Sequence, residues 1–110
     1  APVVLVHHVG AKSGEARVAP LLYLQDGDDV IIVASYGGAP KSPAWFHNLK
    51  AHPDTKIELK GVTIPVRATV IEEPERSELW PRLVALYAAY ADYQAKTERV
   101  IPLVRLTPIV

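Results

Sequence analysis

The sequence predicts an α+β domain: a barrel-like sheet of mainly antiparallel strands, a short inserted helix, and a longer kinked helix near the C-terminus. Three observations predict it. Apolar, β-branched runs of strand length dominate the chain and are separated by Gly, Pro and Asp-Gly turn signals. Only the stretches after Pro43 and after Pro74 read as helix. The regular strand–helix alternation of a doubly wound nucleotide fold is missing.

The elements follow in order. Val3 to Val9 reads as a first strand, and Gly10-Ala-Lys-Ser-Gly14 as a turn. Ala16 to Gln25 reads as a second strand, with Pro20 marking an edge or bulge position. Asp26-Gly27 is a hairpin signal. Val30 to Ser35, β-branched and apolar, reads as a buried third strand broken by Gly37 and Gly38. Ser42 and Pro43 are expected to serve as N-cap and first-turn proline of a short helix that stops near His52, before Pro53. Lys56 to Lys60 and Val62 to Ile71 read as a hairpin turning near Gly61. From Pro74 a helical region is expected to run to about Lys96, kinked or broken at Pro81. Val100 to Val110 reads as the last strand, interrupted by Pro102 and Pro108.

Composition narrows the function. The chain has 110 residues, of which 49% are hydrophobic. That fits one domain, 1–110, burying roughly two-thirds of its unfolded surface. The formal net charge of zero argues against a general nucleic-acid binder, so any anion site is local. The absence of cysteine removes disulfides, thiolate metal sites and a cysteine nucleophile, and fits a cytoplasmic protein. No apolar run approaches the ~20 residues of a membrane helix. The start at Ala1, directly in an apolar stretch, reads as part of a longer protein. Any attachment to the inner face of the cell membrane is expected to come from residues preceding it.

Four groups of residues are candidates for chemistry. Lys12-Ser13-Gly14-x-x-Arg17 is a glycine-relaxed turn between two strands. It reads either as an anion site, with backbone N–H groups, a point charge and a planar fork, or as a solvated hairpin tip. It is not a Walker A loop, because the spacing is wrong and a strand follows it. Ser35-Tyr36-Gly37-Gly38-Ala39-Pro40-Lys41 leaves a buried strand for a helix start, and reads as a close-approach ligand loop or as a plain connection. Trp45, Phe46 and Asn48 lie on the short helix, where an aromatic covers a flat ring or fills core. Tyr87, Tyr90 and Tyr93 recur every three residues, which suits a half-open pocket wall or ordinary packing. His7, His8, His47 and His52 lack metal-ligand spacing, so no metal site is expected. No nucleophile elbow is present, which argues against a serine hydrolase.

Taken together these segments resemble the deazaflavin-dependent nitroreductase family of actinobacteria. The resemblance lies in Gly10-Ala-Lys-Ser-Gly-Glu-Ala-Arg17, Pro20-Leu-Leu-Tyr23, and Ser35-Tyr-Gly-Gly-Ala-Pro-Lys-Ser-Pro-Ala-Trp-Phe-His-Asn-Leu49. It continues in Leu79-Trp-Pro81, Tyr90-Ala-Asp-Tyr93 and Arg99-Val-Ile-Pro102, in order along nearly the whole chain.

The resemblance implies a split β-barrel related to flavin mononucleotide oxidoreductases. It implies binding of coenzyme F420 and hydride transfer to an organic acceptor such as a quinone, with nitroaromatics as adventitious acceptors. By position, Lys12, Ser13 and Arg17 would meet the cofactor's phosphate and acidic tail. Pro20, Leu21 and Leu22 would run along the deazaflavin ring. Ser35, Tyr36, Gly37 and Gly38 would line the phosphate side and ring edge, and Pro43, Ala44, Trp45 and Asn48 would complete the cradle. Tyr87, Tyr90 and Tyr93 would face the acceptor, with Ser35, Tyr90 or Tyr93 as the catalytic hydrogen-bond or proton donor. Two positions depart from some members: Tyr36 stands where they have a basic residue, and Leu22 where they have an aromatic. The rival readings are a flavin mononucleotide reductase of the same barrel, a deazaflavin carrier without turnover, and a structural module that binds neither.

Overall fold

The computed structural model describes residues 2–109. Its elements are β1 (Val3–Val9), β2 (Ala16–Leu22), β3 (Leu24–Asp26), β4 (Asp29–Val33), a 3-10 turn (Tyr36–Gly38), α1 (Ala44–Ala51), β5 (Asp54–Leu59), β6 (Val62–Val70), α2 (Glu75–Leu86), α3 (Ala89–Ala95) and β7 (Leu103–Pro108). The strands form one seven-stranded sheet in the order β2-β1-β5-β6-β7-β4-β3, with every neighbouring pair antiparallel.

That order dictates the shape. β2 and β3 lie at opposite ends of the sheet, yet Tyr23 alone joins them. A flat sheet of this size would be roughly 29 Å wide at about 4.8 Å per strand. One linking residue spans only about 7 Å between flanking Cα atoms. The sheet therefore rolls up until its two edges meet at Tyr23, whose side chain is buried in the barrel interior. Closure is partial. β3 pairs with β4 only from Leu24↔Ile31 to Asp26↔Asp29, and β2 pairs only with β1. Beyond Ile31 no strand covers the β2-facing edge of β4, so a seam remains between β2 and β4. This is a split β-barrel.

β4 serves two cores, which is why its sequence is a continuous apolar run. Val30 and Ile32 point into the barrel with Val4, Val6, Ile57, Val66 and Leu106. Ile31 and Val33 point outward, under α2 and α3, with Leu79, Leu83, Tyr90, Ile101 and Leu103. Each fully buried Leu or Ile contributes about 1.5–3 kcal/mol. Arg105 clamps the β3–β4 hairpin to the helical layer. Its Nη1 donates to Asp26 and Asp29 at 3.0 and 2.8 Å, and its Nη2 to Glu75 at 2.8 Å.

The structure corrects four expectations. The expected second strand, Ala16 to Gln25, is two strands at opposite edges of the sheet, because the chain bends at Tyr23 to bury its ring. The N-cap of α1 is Pro43, without a side-chain cap bond; Ser42 Oγ instead accepts from Arg99 at 3.4 Å. Pro81 sits inside α2 and does not break it. Its missing N–H would have bonded to Ser77, whose position is exposed, so solvent can serve that carbonyl. The helical region breaks instead at Tyr87, which is extended at φ −149°, ψ 99°. Finally, Val100 to Pro102 precede the last strand, and Val110 lies outside the described residues. The hairpin expected near Gly61 forms with positive φ at both Lys60 (51°) and Gly61 (80°), matching the twist of its strands.

Candidate active site

A cavity of about 330 Å³ opens at the seam. Pro20, Leu21 and Leu22 line it from the unpaired edge of β2, and Val33 and Ser35 from the end of β4. Pro43 and Trp45 line it from the start of α1, while Tyr36 and Gly37 come from the 3-10 turn. Tyr87, Tyr90 and Tyr93 close it from the α2–α3 corner. An adjoining groove of about 420 Å³ is lined by Lys12, Ser13, Arg17, Ala44, His47 and Asn48. The two meet at the first turn of α1, where Ala44 faces the groove and its neighbours face the cavity.

Both regions suit anions. Ser35 is right-handed (φ −73°, ψ −38°), whereas Tyr36 (φ 46°) and Gly37 (φ 63°) are left-handed. Such a reversal turns successive N–H groups toward one side, forming an anion-binding concavity. The N–H groups of Ser35, Tyr36 and Gly37 have no acceptor among the described residues. A left-handed tyrosine costs about 1–2 kcal/mol. In the groove, Lys12 pairs with no carboxylate among the described residues, and Arg17 is only 3.6 Å from exposed Glu15. Ser13 Oγ accepts the Glu15 N–H at 3.1 Å and closes the turn. A Cβ at Gly10 would displace Ser13 Oγ from this position.

The tyrosine wall is differentiated. The Tyr87 and Tyr93 hydroxyls lie 3.2 Å apart and bond each other. That bond to Tyr93 is the main reason the Tyr87 pKa is raised. Tyr90 is 5% exposed and belongs to the outer core, yet lines the cavity. Its hydroxyl has no partner among the described residues and is not sealed from solvent. Burial above all, then its two tyrosine neighbours, pushes its pKa up to about 12.

Two of the residues expected to meet the cofactor also brace the scaffold. Gly38 is buried away from the cavity. A Cβ there would lie 2.8 Å from Tyr93 O, so glycine is needed for the turn to pack on α3. Asn48 is buried, and its amide is engaged on both sides. Oδ1 accepts the Ala11 N–H, and Nδ2 donates to His8 Nδ1, each at 2.9 Å. Asn48 therefore fixes the 10–14 turn. Burial first, then Arg17 and His7, lowers the His8 pKa, which keeps its ring a neutral acceptor. Sequence reasoning misses His8 and Arg99. Neither carries a local signal, since each bonds a partner distant in the chain: Asn48 for His8, and the 34–42 loop for Arg99.

Comparisons with known proteins agree with this geometry. The family model for F420H(2)-dependent quinone reductase matches residues 1–108. Rv3178 of Mycobacterium tuberculosis is 46% identical over 107 residues, covering 97% of this chain and 90% of that protein. The F420H(2)-dependent quinone reductase Rv1261c of the same organism is 42% identical over 109 residues, covering 96% and 73%. Among solved structures, an F420-H2 dependent reductase (FDR-A) superposes with a TM-score of 0.87 at 39% identity, over 96% of this chain and 93% of that one. HutZ of Vibrio cholerae, 14% identical with a TM-score of 0.71 over 99% of this chain and 82% of that one, shares the fold alone. The chain belongs to the F420H(2)-dependent quinone reductase family, and coenzyme F420 is its cofactor.

Proposed function

We propose that the seam cavity holds the deazaflavin ring of coenzyme F420 against the β2 edge and presents it to a quinone under the tyrosine wall. The observation that carries this reading is the seam itself: a cavity lined by an unpaired strand edge, by free amides and by three tyrosines. The residues fit the cofactor. A Cβ on Gly37 would meet nothing within 4 Å, and Ser35, Tyr36 and Gly37 all line the cavity. Their amides would hold the phosphate, and Lys12 and Arg17 would take the acidic tail along the groove. Pro20, Leu21 and Leu22 offer an unpaired strand edge to the polar rim of the ring, while Pro43 and Trp45 back it.

Reduced coenzyme F420 supplies a hydride when bound. The chain's own residues orient the acceptor and stabilise the charge it gains. Tyr87, Tyr90 and Tyr93 would stack the quinone within about 3–3.5 Å of the hydride donor. Tyr90 has the free hydroxyl, and would donate a hydrogen bond to the quinone oxygen that turns negative. With its pKa near 12 Tyr90 stays protonated and able to donate that bond, and one proton added to the transferred hydride completes the hydroquinone. Ser35, whose Oγ also has no partner among the described residues, is the alternative donor.

Calorimetric titration tests the cofactor assignment. Coenzyme F420 is expected to bind more tightly than flavin mononucleotide, because only the former has a tail for the Lys12–Arg17 groove. Tighter flavin mononucleotide binding would sink the assignment. In the same titration Arg17→Lys, which keeps charge but loses the fork, is expected to weaken binding by about 1.5–3 kcal/mol, roughly ten- to a hundredfold. Unchanged affinity would make Arg17 an ordinary surface charge.

A further inference from the structure

Arg99 lies between α3 and β7, half-buried behind the 34–42 loop and outside the cavity lining. Its Nη2 donates to Ser35 O at 2.8 Å, and its Nε to Ala39 O at 2.9 Å. Its Nη1 donates to Ala34 O at 3.2 Å and to Ser42 Oγ at 3.4 Å. Among the described residues no carboxylate pairs with it. An arginine in this setting holds neutral oxygens and leaves its charge uncompensated.

The consequence follows from peptide geometry. In a trans peptide the C=O and the next residue's N–H point in opposite directions. Drawing the Ala34 and Ser35 carbonyls onto Arg99 turns the Ser35 and Tyr36 N–H groups the other way. Ser35 and Tyr36 line the cavity, and neither N–H has a protein acceptor. The guanidinium also polarises both peptide units, so that their N–H ends become more positive.

Arg99 is tied to the α3 wall as well. Gln94 of α3 donates to Arg99 O at 2.8 Å and accepts the Ile101 N–H at 3.0 Å. α3 carries Tyr90 and Tyr93, and its backbone at Tyr93 is the surface on which Gly38 packs.

We propose that Arg99 is the positioning residue of the site: it aims the Ser35 and Tyr36 amides into the cavity and places behind them the fixed positive charge that holds the cofactor's anionic group. It supplies from beneath the loop a charge that the Tyr36 side chain cannot. The inference rests on the reading that this loop holds the phosphate.

The test uses Arg99→Gln and Arg99→Lys in the full chain. Coenzyme F420 affinity is measured by titration, acceptor KM at saturating cofactor, and amide hydrogen exchange at Gly38 and Ala39 without ligand. The Gly38 and Ala39 amides bond to Ser35 O and Tyr36 O, and report the loop directly. Arg99→Gln is expected to weaken the cofactor roughly tenfold or more. It should speed exchange at both amides and leave acceptor KM within about twofold. Arg99→Lys, which keeps the charge but reaches fewer oxygens, should fall between, and carries the test if Arg99→Gln does not fold. Exchange unchanged in both variants overturns the positioning role. Faster exchange with unchanged affinity overturns the link to the cofactor. A wild-type protein that binds no coenzyme F420 defeats the underlying reading instead, while the exchange result still judges Arg99.

Discussion

Tyr90→Ala is expected to destabilise the protein by about 3–5 kcal/mol, while Tyr90→Phe leaves stability near wild type and slows quinone reduction. The two variants separate what the ring does from what the hydroxyl does. The ring fills the outer core beside Leu79, Leu83 and Ile101, and its edge meets Tyr87 at a centroid distance of 5.0 Å. Truncation empties that space, and the melting temperature should fall by more than about 10 °C. The hydroxyl bonds nothing in the protein, so removing it strands no partner. Its loss is expected to lower kcat on the order of 10- to 100-fold, as for a lost donor to a developing oxyanion. Intact kinetics in Tyr90→Phe would make the residue a wall only. A pH signature accompanies this. The folded pKa, about 12, stands above the ordinary tyrosine value of 10.0, so the folded state holds the proton longer than the unfolded one. The stabilisation is therefore full below pH 10 and is lost as pH rises from 10 toward 12, amounting to roughly 2–3 kcal/mol. Melting curves of wild type and Tyr90→Phe should run together below pH 10 and separate across that range as wild type alone loses stability, and kcat should show no Tyr90 ionisation below pH 10.

Gly38→Ala is the second large effect. Gly38 has φ 82°, and a Cβ there would lie 2.8 Å from Tyr93 O, 3.1 Å from Tyr93 Cα and 3.2 Å from Lys96 Cβ. Two of the three are backbone atoms and cannot swing aside. Strain at positive φ adds to overpacking, for a loss of roughly 2–4 kcal/mol. Gly27→Ala is the control: φ is 62° there, but nothing lies within 4 Å, so only the strain of about 1 kcal/mol remains. If both variants melt alike, Gly38 is only a turn glycine. Because α3 must retreat to admit the methyl group, acceptor KM should rise in Gly38→Ala and stay constant in Gly27→Ala.

The parts of the fold legible in the sequence are those governed by neighbours in the chain. The first strand, Val3 to Val9, the hairpin turns at Gly27 and Lys60-Gly61, and the stop of α1 at His52 all answer to local rules. The split at Tyr23 does not. Periodicity runs through it unbroken, and only the rolled sheet requires the bend. Pro81 misleads for the same reason: a proline's cost depends on whether solvent can serve the freed carbonyl, which is a tertiary fact. The candidate site was legible as residue types in loops, so most expected contacts converge on one cavity and its groove. Asn48 and Gly38 have the expected neighbourhood and brace its scaffold, a task the sequence does not show, because the partners of a buried polar or small residue are set by the tertiary fold.

The seam has a consequence for solubility. An unpaired strand edge is a template on which another chain can add a strand. On the open side of β2 that template is interrupted by Pro20, which has no N–H to offer and lies opposite Leu5 in the ladder. The remaining length is the stretch against which the deazaflavin would lie. A bound cofactor then serves as a missing piece of barrel wall, shielding the edge from self-association as well as carrying electrons. The ligand-free protein would be the more aggregation-prone form, and the cofactor supply of the cell would act on the lifetime of the fold as well as on its turnover.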